Sequence, residues 1–124
     1  MGKKGFKDLI VWQKAKDLAI KVYEVSEEGD LNRDFGLRDQ ARRSAVSIAS
    51  NLAEGDERDT DRESVRFFYI AKGSLAELRT QIEIAYEIGY LRKQFYERIE
   101  VECITLGRMR GALIKKRKAI EEVH

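Results

Sequence analysis

Proline is absent from the 124 residues, and cysteine, histidine and tryptophan occur once each. Without proline, no helix is forced to kink or stop by a missing N–H. The single cysteine, Cys103, excludes an internal disulfide framework and fits a reducing compartment. The histidine is His124, where nothing holds it in catalytic geometry. That removes a Ser–His or Cys–His nucleophile pair and the glutamate–histidine spacing of di-iron bundles. No phosphate-cradling glycine loop is present, because Gly107 and Gly111 fall within a helical pattern and no Gly-Lys-Thr follows. No apolar run is long enough for a membrane span. The basic lead Met1 to Lys7 passes into a charged pattern, not a secretory signal core. The expectation is a cytoplasmic protein that is not an enzyme, with no catalytic residue, no cofactor, no metal site and no membrane partner.

What the chain does have is 43% hydrophobic and 37% charged residues, a balance that favours long amphipathic helices in one domain, 1–124. Residues 1–7 read as a mobile basic lead. A first helix is predicted over about 8–27, with Val11, Ala15, Leu18, Val22 and Val25 inward and Trp12 as a lid on the core. A polar connection, 28–35, leads to a second helix over about 36–54, with Gly55 in the left-handed capping conformation. Five carboxylates between Glu54 and Asp61 read as a solvated turn, since they lack the spacing of a calcium-binding loop.

Thr60 and Glu63 form a capping-box pattern that opens a third helix, and Gly89 closes it. Along it, Phe68, Ala71, Leu75, Leu78, Ile82 and Ala85 alternate by three and four, the seam of a bundle. Phe67, Ile70, Ile84 and Ile88 form a second apolar stripe beside the seam. An arc that wide suggests two partners, one of them a neighbouring subunit. Glycine is costly inside a helix, so Gly73 is expected to be offset by close packing of another helix. A fourth helix spans about 93–122, with Ile99, Cys103, Leu106, Leu113 and Ile120 inward and Gly107 and Gly111 marking a close helix contact. Four helices with short connections run antiparallel to their neighbours, so the fold class is all-α, an antiparallel up-and-down four-helix bundle.

The stretch Arg42 to Gly55 carries a face of a different kind. Arg43, Ser47, Asn51 and Glu54 are spaced four, four and three apart, and three serines and an asparagine fall in eight residues. Serine and asparagine are poor interior helix formers, so the small polar face points to a close helix–helix or subunit contact. Arg42-Arg43-x-Ala45-x-Ser47-Ile48-x-x-Asn51-Leu52-Ala53-Glu54-Gly55 resembles the core motif of the bacterial four helix bundle protein family, also called the 23S rRNA intervening-sequence protein family. Leu9-x-Val11-Trp12-x-x-Ala15 and Gly73-Ser74-Leu75-x-Glu77-Leu78 support the resemblance, in the right order and over nearly the whole chain. Ala49 stands where the family often has proline, and Leu52 where it often has isoleucine.

The resemblance implies the same bundle fold and a ring-like homopentamer. It also implies an association with nucleic acid, because family members are encoded within ribosomal RNA intervening sequences. A related bundle protein accompanies the reverse transcriptase of diversity-generating retroelements and binds nucleic acid. From the residues themselves, candidate phosphate contacts are Lys3, Lys4, Lys7, Arg108, Arg110, Lys115, Lys116, Arg117 and Lys118. Cations near a helix C-terminus also have a structural use against the macrodipole. The net charge of only +2 marks no general polyanion binder. Two readings remain open: an oligomeric, RNA-associated scaffold, or an oligomeric adaptor whose basic face binds an acidic protein.

One geometric expectation follows for the motif. If the turn between the second and third helices centres on Glu57 and Arg58, Arg43 lies level with Lys72 and Gly73. It then runs along Gly73-Ser74 to pair with Glu77, with Ser47 and Asn51 completing a polar stripe.

Overall fold

The computed structural model describes residues 5–123, with side chains to Ala119. A 3-10 turn, Gly5–Asp8, precedes five helices: α1 Ile10–Ser26, α2 Gly29–Arg33, α3 Phe35–Asp56, α4 Asp61–Glu87 and α5 Lys93–Val123. Among the described residues there is no strand. The long helices α1, α3, α4 and α5 pack in a cycle, each against its neighbours along the chain and α1 against α5. That closes an all-α antiparallel bundle.

The apolar spacing accounts for the core. Val11, Ala15, Leu18 and Val22 of α1, Ala41, Ala45, Ile48 and Leu52 of α3, and the full α4 seam from Phe68 to Ala85 are buried. Val25 and Trp12 are half-buried. Trp12 meets Phe6 edge to face at 5.1 Å, at the rim of a groove and not as a full lid. The predicted polar connection contains the short helix α2. Gly29 turns the chain at φ +59°, and one helical turn then carries Leu31 to 1% exposure under the bundle end.

Two helix ends follow their sequence signals. Thr60 Oγ1 accepts from Glu63 N at 3.2 Å at the start of α4. At its end Gly89 has φ +86°, with Tyr90 N donating to Ala85 O and Gly89 N to Tyr86 O. Gly55 differs from expectation. It is not a left-handed cap but a helical residue inside α3, which continues to Asp56. Its role is close approach: a Cβ there would lie 2.5 Å from the Phe68 ring and 3.0 Å from Ser64 O. Ser64 Oγ donates to Gly55 O at 2.6 Å.

This extension of α3 moves the helix pairing. Gly55 faces Ser64 and Ser47 faces Ser74, so the pairing is centred near Thr60 and not on Glu57 and Arg58. Gly73 then lies level with Ile48, and Arg43 with Leu78.

Candidate nucleic-acid interface

The small polar face of α3 is a contact within the chain. Ser47 Oγ and Ser74 Oγ share a hydrogen bond of 2.8 Å, and Asn51 Nδ2 donates to Ser47 O at 2.8 Å and Ser47 Oγ at 3.1 Å. Further along, with its amide nitrogen turned toward α3, Gln81 donates to Ser44 Oγ at 3.0 Å and Gln40 O at 3.3 Å. Arg42 Nε donates to Ser26 Oγ at 2.8 Å and its guanidinium stacks on Tyr23, tying α3 to the end of α1. Glu54 pairs with Arg58. The expected Arg43–Glu77 pair is absent. Both side chains are exposed and no ion pair joins them, although the observed register sets Arg43 level with Leu78, one residue from Glu77. Gly73 is not packed against another helix of this chain either, since a Cβ there would meet nothing within 4 Å. It faces outward on α4, on the stripe of Ile70, Ile84 and Ile88, which are 48%, 45% and 52% exposed.

The basic residues of α5 divide into separate groups. Lys115, Lys116 and Arg108 are exposed. Lys7, ahead of α1, is also exposed, while Lys3 and Lys4 lie outside the described residues. Arg110 and Arg117 do not belong to the outer face. Ile99, Cys103, Leu106, Arg110, Leu113 and Arg117 alternate by four and three, so both arginines sit on the inward seam. A search for apolar residues passes over them.

Arg117 is neutralised by the acidic turn. It meets Asp56 at 3.0 Å and Asp61 at 3.3 Å, and the Asp56 side chain is only 3% exposed. Its guanidinium also lies over the Phe68 ring. It therefore clasps α5 to the α3–α4 turn and is not available to phosphate. Two turns earlier, Arg110 has no such partner: its Nε is buried without a hydrogen bond. Burial pulls the Arg110 guanidinium below its ordinary range, with Tyr69 opposing.

Arg110 borders an open groove of about 350 Å³ between α4 and α5. Lys72, Ala76 and Arg79 line it from α4, and Ile104, Gly107 and Arg108 from α5. Gly107 and Gly111 do not mark a close helix contact. A Cβ on Gly107 would touch only Leu75 Cδ2, at 3.5 Å, and one on Gly111 would meet nothing within 4 Å. At one end of the groove Arg79 is tied to Glu100. Beyond it the Tyr96 hydroxyl donates to Glu83, which holds the phenol proton and pushes its pKa up to about 12. At the other end Lys118 Nζ donates to Tyr69 OH at 3.1 Å. That bond and the Lys118 charge, with Lys72 and Arg110 adding, hold the Tyr69 phenol below its ordinary range. Lys72, Arg79 and Tyr69 escaped the sequence reading, although their spacing of three and seven places them on one face.

A different, apolar groove of about 530 Å³ runs between α1 and α3, lined by Phe6, Trp12, Ile20, Tyr23, Val46 and Ala53 among others. Among the described residues no cluster of acids, cysteine and histidine is arranged to hold a metal ion. No described helix is long and apolar enough to cross a membrane.

The sequence pattern of the 23S rRNA-intervening sequence proteins matches residues 7–112. The chain belongs to that family. No curated protein matches it. The fold of this 23S rRNA-intervening sequence protein is similar to a crystal structure from Bacteroides thetaiotaomicron VPI-5482. That structure is described as a protein of unknown function from the S23 ribosomal protein family. The TM-score is 0.77 at 20% identity, and the match covers 85% of this chain and 98% of the other. At that identity the likeness speaks to the bundle alone.

Proposed function

We propose that the protein is a non-enzymatic scaffold that self-assembles in the cytoplasm and associates with RNA, with five subunits the leading assembly. The observation that carries the assembly is the pair of unlike apolar surfaces left uncovered on the bundle. One is the α1–α3 groove and the other is the Ile70, Ile84 and Ile88 stripe of α4, with Gly73 open between them. Joining two unlike surfaces is a head-to-tail contact, and head-to-tail contacts close into rings when the rotation allows. Glycine in the stripe lets a second backbone come close. The RNA part rests on family membership, whose name ties these proteins to the 23S rRNA intervening sequence. Cations on α4 and α5 without acidic partners support it. A ring would repeat each phosphate contact in every subunit.

Light scattering tests the assembly, with a mass several times the 14.4 kDa chain expected. A monomer at micromolar concentration would overturn it. Fluorescence anisotropy with labelled RNA over a salt series tests the association, and binding that weakens linearly on log–log axes is expected. An intact oligomer that ignores RNA at low salt would instead favour an adaptor for an acidic protein.

A further inference from the structure

Arg110 and Arg117 occupy equivalent seam positions on α5 and are treated in opposite ways. Arg117 is met by two aspartates. Among the described residues Arg110 is met by none, although a partly desolvated guanidinium without a counter-charge is costly and requires an offset. Its surroundings add to the demand. Lys72 and Arg108 line the same groove, and no carboxylate is among the residues that do. The preceding acids of α5 are already engaged, Glu102 by Lys21 and Glu100 by Arg79. The groove is also kept open at a cost to the helix. Gly107, which lines the groove, is of the least favoured helix-forming type after proline, and a Cβ there would meet only Leu75 Cδ2, at 3.5 Å. Beside the cations stands Tyr69, whose ring is exposed and whose hydroxyl is oriented by Lys118.

We infer that the groove between α4 and α5 is a binding site for the phosphodiester backbone of single-stranded RNA, held by Lys72, Arg108 and Arg110. The inference rests on the RNA association proposed above and gives it a place, which is not the exposed Lys115–Lys118 run at the end of α5. Arginine offers a planar fork to phosphate oxygens, and lysine a point charge. An exposed aromatic ring at the end of a basic groove is the platform on which an unpaired base stacks. A bound phosphate supplies the counter-charge that Arg110 lacks.

The test uses the full chain, fluorescein-labelled oligouridine and a potassium chloride series. The double variant Lys72→Gln/Arg110→Gln removes two phosphate contacts, so the log–log salt slope is expected to fall by about 1.4. Lys115→Gln/Lys116→Gln removes the same charge and is expected to leave the slope unchanged. Gly107→Phe keeps every charge, places a ring in the groove that Gly107 lines and is expected to weaken binding. Circular dichroism checks that each variant stays helical. Independently, the Arg110 Nε–H resonance of the wild-type protein is expected to shift on addition of oligouridine. If wild type binds RNA but the groove variants bind with unaltered slope and affinity, the site is elsewhere: the inference falls and the RNA reading stands. If wild type binds no RNA at low salt, both fall, and binding of polyglutamate in the same groove would then assign it to an acidic protein.

Discussion

A methyl group added at Gly55 would sit 2.5 Å from the Phe68 ring, whereas one added at Gly73 would touch nothing within 4 Å. Both residues are helical, so alanine gains up to about 1 kcal/mol in either place from propensity alone. At Gly55 the forced shift of a fully buried ring opposes that gain and is worth about 1–3 kcal/mol. Gly55→Ala is therefore expected to lower stability, and Gly73→Ala to raise that of the dissociated chain, in urea titrations at low protein concentration. A stabilised Gly55→Ala would mean that Phe68 yields freely. The sequence could not separate these roles. Gly55 follows the last apolar residue of its helix and looks like a stop. What requires glycine there is Phe68 on the next helix, which local spacing does not place. Ser47 and Asn51 were legible as a close polar contact, but their partner Ser74 depended on a register that the continuation of α3 to Asp56 displaces.

At the scale of the helix, α4 was readable because all its seam positions are apolar, and all of them are buried. On α5 the seam passes from Ile99 and Cys103 to Arg110 and Arg117, so a hydrophobic pattern fades where the helix in fact continues inward. The seam also makes a prediction about Cys103. Burial pushes its thiol from 9.0 up to about 12, so the folded state favours the protonated form. The sign follows: this contribution to stability is complete below pH 9, shrinks above it and is lost as pH approaches 12. Cys103→Val is expected to flatten the fall of stability over that window in thermal melts. At neutral pH a thiol reagent such as Ellman's reagent is expected to label Cys103 only as fast as the bundle opens, because the reactive thiolate is scarce and shielded. Rapid labelling of the native protein would place the thiol outside the seam.

For the whole molecule, the cyclic packing of the long helices has a kinetic consequence. α3 and α4 are joined by the four-residue turn 57–60, and their pairing starts beside it, at Gly55 and Ser64. The last side of the cycle is different: residues 8–11 lie against residues 109–116. Closing that side brings together segments about a hundred residues apart, and loop-closure entropy must be met before any contact there is rewarded. The α3–α4 hairpin is therefore expected to form in the early folding nucleus, with α1 and α5 zipping together after the barrier is crossed. Val11 is buried at this late seam, at 4% exposure. In stopped-flow experiments on the dissociated chain, Val11→Ala is expected to speed unfolding while leaving the refolding rate almost unchanged. Ile48→Val, in the hairpin, is expected to slow refolding. The bundle would then shed its first helix long before it forgets its central pair.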